Sequence, residues 1–544
     1  MIEQEFQQKV RELIDGLKAV CANYGLSGDG NEYKIITQVF LYKFLNDKFA
    51  YEIKKLEPNL LNAESWETAF AEKSNEQIKM LQYQIGPEVA KLEHSHFIST
   101  LYERQNEAEF SELFDDTLID IATKNVDIFS VKTSSGQKDN LFDRLSQYIT
   151  DRSQRNSFCK AIINRLVSFS FENIFDKKFD FYATIFEYLI KDYNANSGGV
   201  YAEYYTPNAV SRIMAEILIP PAERGTIRNV SCYDPSAGSG TLLMNLAYSI
   251  GSERCSIFSQ DISQKSSSLL RLNLILNSLV HSIPNVIKGN TILDPYHKDG
   301  KELKKFDYIV SNPPFKMDFS DYQPNLDTKE NEERFFAGIP NIPPKKRESM
   351  AIYQLFLQHI FSSLKSNGKA AVVVPTGFVT AKSIDLKIRK TLVDNNKISG
   401  VISMPSNIFA TTGTNVSIIF IDMNHDGDVI LIDASSLGKK IKEGKNQKTL
   451  LSVDEEREIV DIFNNKIEKD NFSVTVSAKE LAEKNYSLSA GQFFEIKIVS
   501  EELTDDEFQQ KLSGLSSSLS ELSQRSLELD VEIQEQLKKL KYDL

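Results

Sequence analysis

The tetrapeptide Asn312-Pro313-Pro314-Phe315 closes a strand-length apolar run, Phe306-Asp307-Tyr308-Ile309-Val310-Ser311. A strand that meets two prolines cannot extend its ladder, and each proline fixes its own φ. The turn is therefore stiff, and it holds the Asn312 side chain and the Pro313 carbonyl in place at the strand's end. Two acceptors held this way suit a planar exocyclic amine. They take both of its N–H bonds and turn the nitrogen lone pair out of conjugation, towards an electrophile. Phe315 adds an aromatic face on which an extruded base could stack. Taken alone, the same four residues also describe an edge-strand turn with a solvent-facing Asn.

What precedes them favours the chemical reading. Asp234-Pro235-Ser236-Ala237-Gly238-Ser239-Gly240 follows a short apolar run and leads into the helix-like Thr241-Leu-Leu-Met-Asn-Leu. A strand, a Gly-rich turn and a helix start offer backbone N–H groups and close approach to a ligand. Asp261, at the end of the next β-rich run, is placed to accept hydrogen bonds from ribose hydroxyls. These two features predict an adenosine-containing cofactor without separating NAD from others; the Asn-Pro-Pro-Phe turn points away from hydride chemistry and towards transfer to an amine.

The elements that must position these residues can be read from the pattern. Ile2, Phe6, Val10, Leu13 and Leu17 fall on one face of a first helix. A cluster from Ser27 to Asn31 ends that segment, and long amphipathic stretches continue to about residue 170, predicting a helical domain over 1–170. From about 171 to 430, short β-rich runs alternate with helical ones: Val230–Tyr233, Ser256–Ser259, Val286–Lys288, Tyr308–Ser311, Ala370–Val374, Ile398–Ser403 and Val416–Ile421. That alternation predicts a mostly parallel sheet covered by helices on both faces. Residues 316–350 are polar and contain Pro324, Pro340, Pro343 and Pro344, predicting a long loop rather than a buried element. Residues 431–500 read as a connecting region. Over 501–544, Phe508, Leu512, Leu515, Leu519 and Leu522 follow a 4-3-4-3 spacing, and Leu529, Ile533 and Leu540 keep the register. This heptad seam carries 11 acidic and 5 basic residues in its segment. It reads as a helix awaiting a coiled-coil partner, the alternative being a helix packed on its own domain.

Composition narrows the class. With 41% apolar and 26% charged residues among 544, the chain can bury real cores, which excludes a disordered or fibrous protein. No run approaches 18 consecutive apolar residues, and Met-Ile-Glu-Gln-Glu does not begin like a signal peptide, so the expectation is a soluble, cytoplasmic protein without a membrane partner. Cys21, Cys159, Cys232 and Cys255 show no ligand or disulfide-framework spacing, and of the six histidines only His94 and His96 lie close together; no metal site is expected. The net charge of −13 opposes strong phosphate binding over the whole surface, though not in one groove. Lys345-Lys346-Arg347 could touch phosphate, or could be a solvated charge run.

Asp234–Gly240, Asp261 and Asn312–Phe315 resemble motifs I, II and IV of amino-methyltransferases that use S-adenosylmethionine. Upstream, Ala202-Glu203-Tyr204-Tyr205-Thr206-Pro207 is similar to motif X of the modification subunit of type I restriction–modification systems. The order X, I, IV is that of the gamma class of adenine-N6 methyltransferases. Phe181–Ile190, Met404-Pro405-Ser406-Asn407-Ile408-Phe409 and Asn485–Ser489 extend the resemblance over nearly the whole chain.

That resemblance implies a multidomain chain: a helical N-terminal domain, a Rossmann-like α/β methyltransferase domain and a C-terminal coiled-coil-like tail. It implies methyl transfer from S-adenosylmethionine to N6 of a flipped adenine in double-stranded DNA, with Asn312, Pro313, Pro314 and Phe315 as the catalytic turn. Glu203, Tyr204, Tyr205, Thr206, Pro207 and Asn208 would hold the methionine end of the cofactor. Asp234, Pro235, Ser236, Ala237, Gly238, Ser239 and Gly240 would wrap it, Asp261 would bind its ribose, and Asn290 would lie near its adenine. Three positions depart from the family: Ala202 for Gly, Asp261 for Glu and Asn290 for Asp. The resemblance also implies a specificity subunit that chooses the DNA site, two copies of this chain beside it, and a restriction subunit as a further partner. The rival readings are an RNA guanine-N2 methyltransferase and a non-catalytic scaffold subunit.

Overall fold

The computed structural model describes residues 2–28, 30–61, 63, 65–175, 188, 206–409, 415–443, 446–494 and 504–539. They fall into two compact units, 1–493 and 494–544.

Within the first unit, the N-terminal part is built mainly of helices, among them Ile2–Asn23, Gly30–Leu56, Phe110–Lys124 and Arg155–Val167. The first follows the predicted stripe: Phe6, Val10, Leu13 and Leu17 are buried. Each such side chain contributes roughly 1.5–3 kcal/mol by leaving water. A knot of aromatic rings, Phe6, Phe40, Phe44, Phe169 and Phe171, joins these helices edge to face at centroid distances of 4.7–6.1 Å.

Two short strands, β1 (Val131–Thr133) and β2 (Lys138–Asp139), also belong to this part and were not foreseen. They pair with each other, and β1 also joins β5 (Val286–Lys288), which continues a run of strands from the middle of the chain that begins with β3 (Val230–Asp234) and β4 (Cys255–Asp261). After a small ribbon of β6 (Lys298–Asp299) and β7 (Glu302–Leu303) come β8 (Phe306–Ser311), β9 (Leu364–Pro375), β10 (Ile398–Ser403), β11 (Val416–Asp422) and β12 (Val429–Asp433). A second ribbon of β13 (Lys439–Glu443) and β14 (Asn446–Leu450) precedes β15 (Ser473–Val476). The main sheet has eleven strands in the order β15-β12-β10-β11-β9-β8-β3-β4-β5-β1-β2. All seven predicted runs are strands of it. β11, β15 and β2 run against the other eight. The Val- and Ile-rich centre is buried on both faces, as parallel strands flanked by helices require: Ala370 to Val374 are fully buried.

Residues 431–500 thus carry the end of β12, the whole of β15, a ribbon and the helix Val453–Asn465, whose N-terminus is closed by a Ser452–Glu455 capping box. The 316–350 segment differs from its expectation. It holds no regular element longer than four residues, yet Phe319, Leu326, Phe335 and Met350 are buried in a small core with Ile292, Ile352, Leu355 and Phe356. Apolar side chains spaced irregularly along a polar segment give no periodic signal, which is why the sequence read it as a surface loop.

In the second unit, Asp505–Lys539 is one helix. Thr504 and Glu507 close its start with reciprocal hydrogen bonds. Phe508, Leu512, Leu515, Leu519 and Leu522 are each more than half exposed. Leu540 lies outside the described residues.

Candidate active site

β8, β3, β4 and β5 run in parallel, so their carboxyl ends, and the turns that follow, share one sheet edge. This edge is where open α/β sheets bind ligands.

Asp234 is the last residue of β3 and is buried. Its Oδ1 accepts the Ser236 N–H at 2.9 Å and the Ser311 hydroxyl at 2.9 Å, while the Ser236 and Ser311 hydroxyls lie 2.8 Å apart. One carboxylate therefore stitches the Gly-rich turn to the residue directly before Asn312. Burial pushes this carboxyl up to about 7, with the nearby Asp261 adding to the shift and the Ser236 and Ser311 bonds opposing it.

Asp261 ends β4 and grips the same turn from the other side. Its Oδ2 accepts the Gly238 N–H at 2.9 Å and its Oδ1 the Ser263 N–H at 2.8 Å. Burial raises its pKa, and these two N–H groups restrain the rise. The turn ends on Gly240, whose φ of +85° favours glycine; a Cβ there would sit 2.3 Å from Leu270 Cδ1. Asn273 Nδ2 donates to the Ser239 carbonyl at 2.7 Å, and the Thr291 hydroxyl to the Pro235 carbonyl at 2.6 Å. The helix Thr241–Ile250 starts immediately after the turn.

Past β8, Pro313 is buried, and Asn312, Pro314 and Phe315 are partly exposed. Asn312 Nδ2 donates to the Thr206 hydroxyl at 3.3 Å. No described residue donates to Asn312 Oδ1 or to the Pro313 carbonyl oxygen. Both acceptors are thus left for a ligand. Phe315 packs edge to face on Tyr353, at 6.4 Å and 80°, and Tyr353 is fixed by hydrogen bonds of 2.9 and 3.0 Å to Asp385.

Thr206 is buried, Pro207 caps the helix Asn208–Leu218, and Asn208 opens it. Glu203, Tyr204 and Tyr205 lie outside the described residues, as do Ala202 and Phe181–Phe186. Asn290 lies just beyond β5, where its Oδ1 accepts the N–H groups of Ile292 and Leu293 at 3.0 and 3.1 Å. The residue that the resemblance places near the cofactor adenine thus uses its side-chain oxygen to shape the local turn.

Four contributors were not read from the sequence: Ser311, Asn273, Thr291 and Arg334. Arg334, buried within the 316–350 segment, donates to the Thr291 and Ile292 carbonyls at 2.7 and 2.8 Å and to His359 Nδ1 at 3.1 Å. His359 Nε2 lies 3.2 Å from the Tyr233 hydroxyl. With Nδ1 accepting from Arg334, the imidazole is neutral, and burial holds its pKa well below the usual range. Ser311, one residue before the Asn-Pro-Pro-Phe turn, had a positional signal; an arginine in a charged, proline-rich stretch had none.

A sulfonium cofactor fits this edge. Asp234 and Asp261 form no ion pair among the described residues, so no basic side chain bound to them opposes a sulfonium at this edge. Each oxygen of Asp261 holds a single N–H and keeps a lone pair for a ribose hydroxyl. Elsewhere, Glu93, His96 and Asp120 converge, but the Lys124 ammonium already bridges the two carboxylates at 2.8 and 2.7 Å, and His96 Nδ1 accepts the Glu93 N–H. The four cysteines are buried, and burial pushes the Cys21 thiol up to about 12.

The family model for N-6 DNA methylases matches residues 177–502. The type I restriction enzyme MpnII methylase subunit of Mycoplasma pneumoniae is 28% identical over 410 residues, covering 74% of this chain and 71% of that protein. The type I restriction enzyme MjaIX methylase subunit of Methanocaldococcus jannaschii is 26% identical over 401 residues, covering 71% and 67%. Among solved structures, the type I restriction-modification system methyltransferase subunit from Streptococcus thermophilus shares the fold, with a TM-score of 0.71 and 22% identity over 90% of this chain and 99% of that one.

Proposed function

This chain belongs to the N-6 DNA methylase family, and from that premise we propose that Asn312–Phe315 receives the adenine amine while the Asp234–Gly240 turn and Asp261 hold the cofactor. The chain is an S-adenosylmethionine-dependent, adenine-specific DNA methyltransferase; the roles of single residues and the partners are our reading.

The observation that carries the reading is the hydrogen bond from Asn312 Nδ2 to Thr206. With Nδ2 turned to Thr206, Oδ1 and the Pro313 carbonyl oxygen can accept the two N–H bonds of adenine N6. With both hydrogens held, the nitrogen lone pair leaves conjugation with the ring. The bound cofactor supplies the electrophilic methyl group. Catalysis by the chain is then positioning: stiff prolines, a fixed amide and an aromatic face for the base. Phe315, braced by Tyr353, stacks the flipped adenine. Asp261 accepts from the ribose, and Thr206–Asn208 border the cofactor's methionine end. Asn290 acts indirectly, by shaping the turn beside the adenine site.

As the relatives are named methylase subunits of type I restriction enzymes, we read this chain as the modification subunit of such a complex. A specificity subunit would read the DNA site, with two copies of this chain per specificity subunit, and a restriction subunit would complete the restriction activity. The exposed heptad seam on Asp505–Lys539 supports a coiled-coil contact with the specificity subunit. No helix among the described residues is long and apolar enough to cross a membrane.

The test is methyl transfer from labelled S-adenosylmethionine to unmethylated genomic DNA, by the chain alone and with a co-expressed specificity subunit. N6-methyladenine formed with the partner is the expected result. Labelling of RNA instead would favour a guanine-N2 enzyme, and cofactor binding without any transfer a scaffold.

A further inference from the structure

The ribbon β13–β14 stands apart from the main sheet. Residues 439–450 contain five lysines and one acid, Glu443, in a chain of net charge −13. Lys445 lies outside the described residues. Lys439, Lys440 and Lys442 are exposed. In the ribbon Lys440 lies opposite Thr449, Lys442 opposite Gln447 and Ile441 opposite Lys448. Residues directly opposite share a face, so Lys440 and Lys442 mark one face of the ribbon and Lys439 and Lys448 the other.

Like charges gathered on a two-stranded ribbon repel one another, and an isolated ribbon is marginally stable in water. This one is held at its root. Thr449, 2% exposed, donates its N–H to the Asn407 carbonyl at 3.0 Å and its hydroxyl to the Ser406 carbonyl at 2.6 Å. Gly438 donates to Glu455 at 2.8 Å; at its φ of +84°, a Cβ would lie 2.6 Å from Thr449 Cγ2. The fold therefore holds a cationic ribbon in a fixed place and leaves Lys439, Lys440 and Lys442 facing solvent.

Its place is informative. β10 and β12 run in the same direction as β8, so the Met404–Phe409 turn after β10 and the ribbon after β12 lie on the sheet edge that carries Asn312. β10, whose turn holds the ribbon's root, is three strands from β8, and β12, from which the ribbon springs, is four, about 14 and 19 Å at the usual strand spacing. Those distances are roughly four to six base-pair steps along a duplex. A two-stranded ribbon also matches the width of the DNA major groove. The other cationic run, Lys345-Lys346-Arg347, adjoins Glu348 in a segment that also carries Glu330, Glu332 and Glu333.

We propose that the β13–β14 ribbon grips the phosphates of the duplex flanking the flipped adenine, with Lys439, Lys440 and Lys442 as its contacts. The proposal rests on the reading of Asn312–Phe315 as the adenine site. It gives this acidic chain a local DNA contact of its own beside any partner's.

The test uses the full chain with its specificity subunit and a fluorescein-labelled 30-base-pair duplex, titrated at several NaCl concentrations. The combined variant Lys439→Gln, Lys440→Gln and Lys442→Gln should lower the slope of log affinity against log salt by about 0.9 for each phosphate no longer neutralised, and weaken binding at least tenfold. S-adenosylmethionine affinity and thermal unfolding should match wild type. The three Lys→Arg replacements should restore the slope. An unchanged slope and affinity in the Gln variant would overturn the proposal while leaving the adenine-site reading intact, provided wild type still methylates. Arg replacements that do not restore it would overturn the phosphate contact. A wild-type complex that neither binds the duplex nor methylates it would remove the reading and the proposal together.

Discussion

Thr206 and Asn312 lie 106 residues apart in sequence and share one hydrogen bond, in which the Asn312 amide donates to the Thr206 hydroxyl at 3.3 Å. The bond ties the start of the helix Asn208–Leu218 to the turn after β8. It also holds the Asn312 amide in place, with Oδ1 left for a ligand. We expect Asn312→Ala to lower kcat on the order of 10²-fold or more while cofactor affinity stays within a few-fold, because the group positions the amine rather than the cofactor. Thr206→Val should give a smaller loss of kcat. Isothermal titration with S-adenosylmethionine beside single-turnover methylation separates the two effects, and equal loss of binding and turnover in Asn312→Ala would refute the assignment.

Phe315 bears on the base instead. Removing a base-stacking ring costs roughly 1–3 kcal/mol, so Phe315→Ala should raise the KM for DNA by roughly 5- to 150-fold. Phe315→Trp should retain most of the affinity. A Phe315→Ala enzyme with wild-type KM would mean that the ring serves only to pack on Tyr353.

The Asp234 carboxyl makes stability depend on pH. An unfolded aspartate loses its proton near pH 4, whereas folded Asp234 keeps it up to about 7. Across that window the folded chain binds the extra proton, so its stability falls as pH rises. Asp234→Asn removes the titration and keeps an oxygen to accept from Ser236 and Ser311. The Tm difference, variant minus wild type, should grow more positive between pH 5 and pH 7.5. Taking the difference cancels the opposing contribution of buried His96, His297 and His359, whose pKa values are lowered. A difference that stays flat across the range would show that this carboxyl titrates normally.

Gly240 joins stability to binding. Gly240→Ala places a Cβ against Leu270 in a left-handed backbone, at a cost of about 2–4 kcal/mol. Lower Tm and weaker S-adenosylmethionine binding should appear together. Leu270→Ala in the same chain should recover only part of the loss, since it relieves the clash and not the backbone strain. Full recovery would assign the whole cost to the clash.

On the helix Asp505–Lys539, Leu515→Asp with Leu519→Asp should abolish co-purification of the specificity subunit, since two buried leucines contribute roughly 3–6 kcal/mol to such a seam. Unfolding of residues 1–493 and cofactor affinity should not change. Retention of the partner at wild-type level would exclude this seam as the contact.

Much of this was legible in the residues. β-branched runs flanked by turn signals marked seven strands, because strands buried on both faces must be apolar throughout. The Gly-rich turn, Asp261 and Asn-Pro-Pro-Phe could be read as chemistry because each restricts the backbone in a way few residues allow. The Thr206–Asn312 bond was not read from the sequence, since nothing local to either residue specifies the other. β1 and β2 were invisible: Val131-Lys132-Thr133 and Lys138-Asp139 are too short and polar to show a period of two. Val429–Asp433 is a clear apolar run, but it straddles the boundary drawn between the α/β domain and the connecting region. The lysine ribbon was hidden by the chain's acidic total, which averages over surfaces that act separately.

The pairing of Lys132 with Ile287 and Thr133 with Lys288 has a temporal side. During synthesis, β1 leaves the ribosome about 155 residues ahead of the strand it must join, roughly 8–30 s at common elongation rates. Until β5 arrives, β1 offers unpaired N–H and C=O groups to any other strand in reach. The N-terminal helices can collapse early, but they cannot complete their own edge. The chain's first third thus waits on its middle, a non-local closure that slows folding and leaves the nascent chain dependent on being shielded meanwhile.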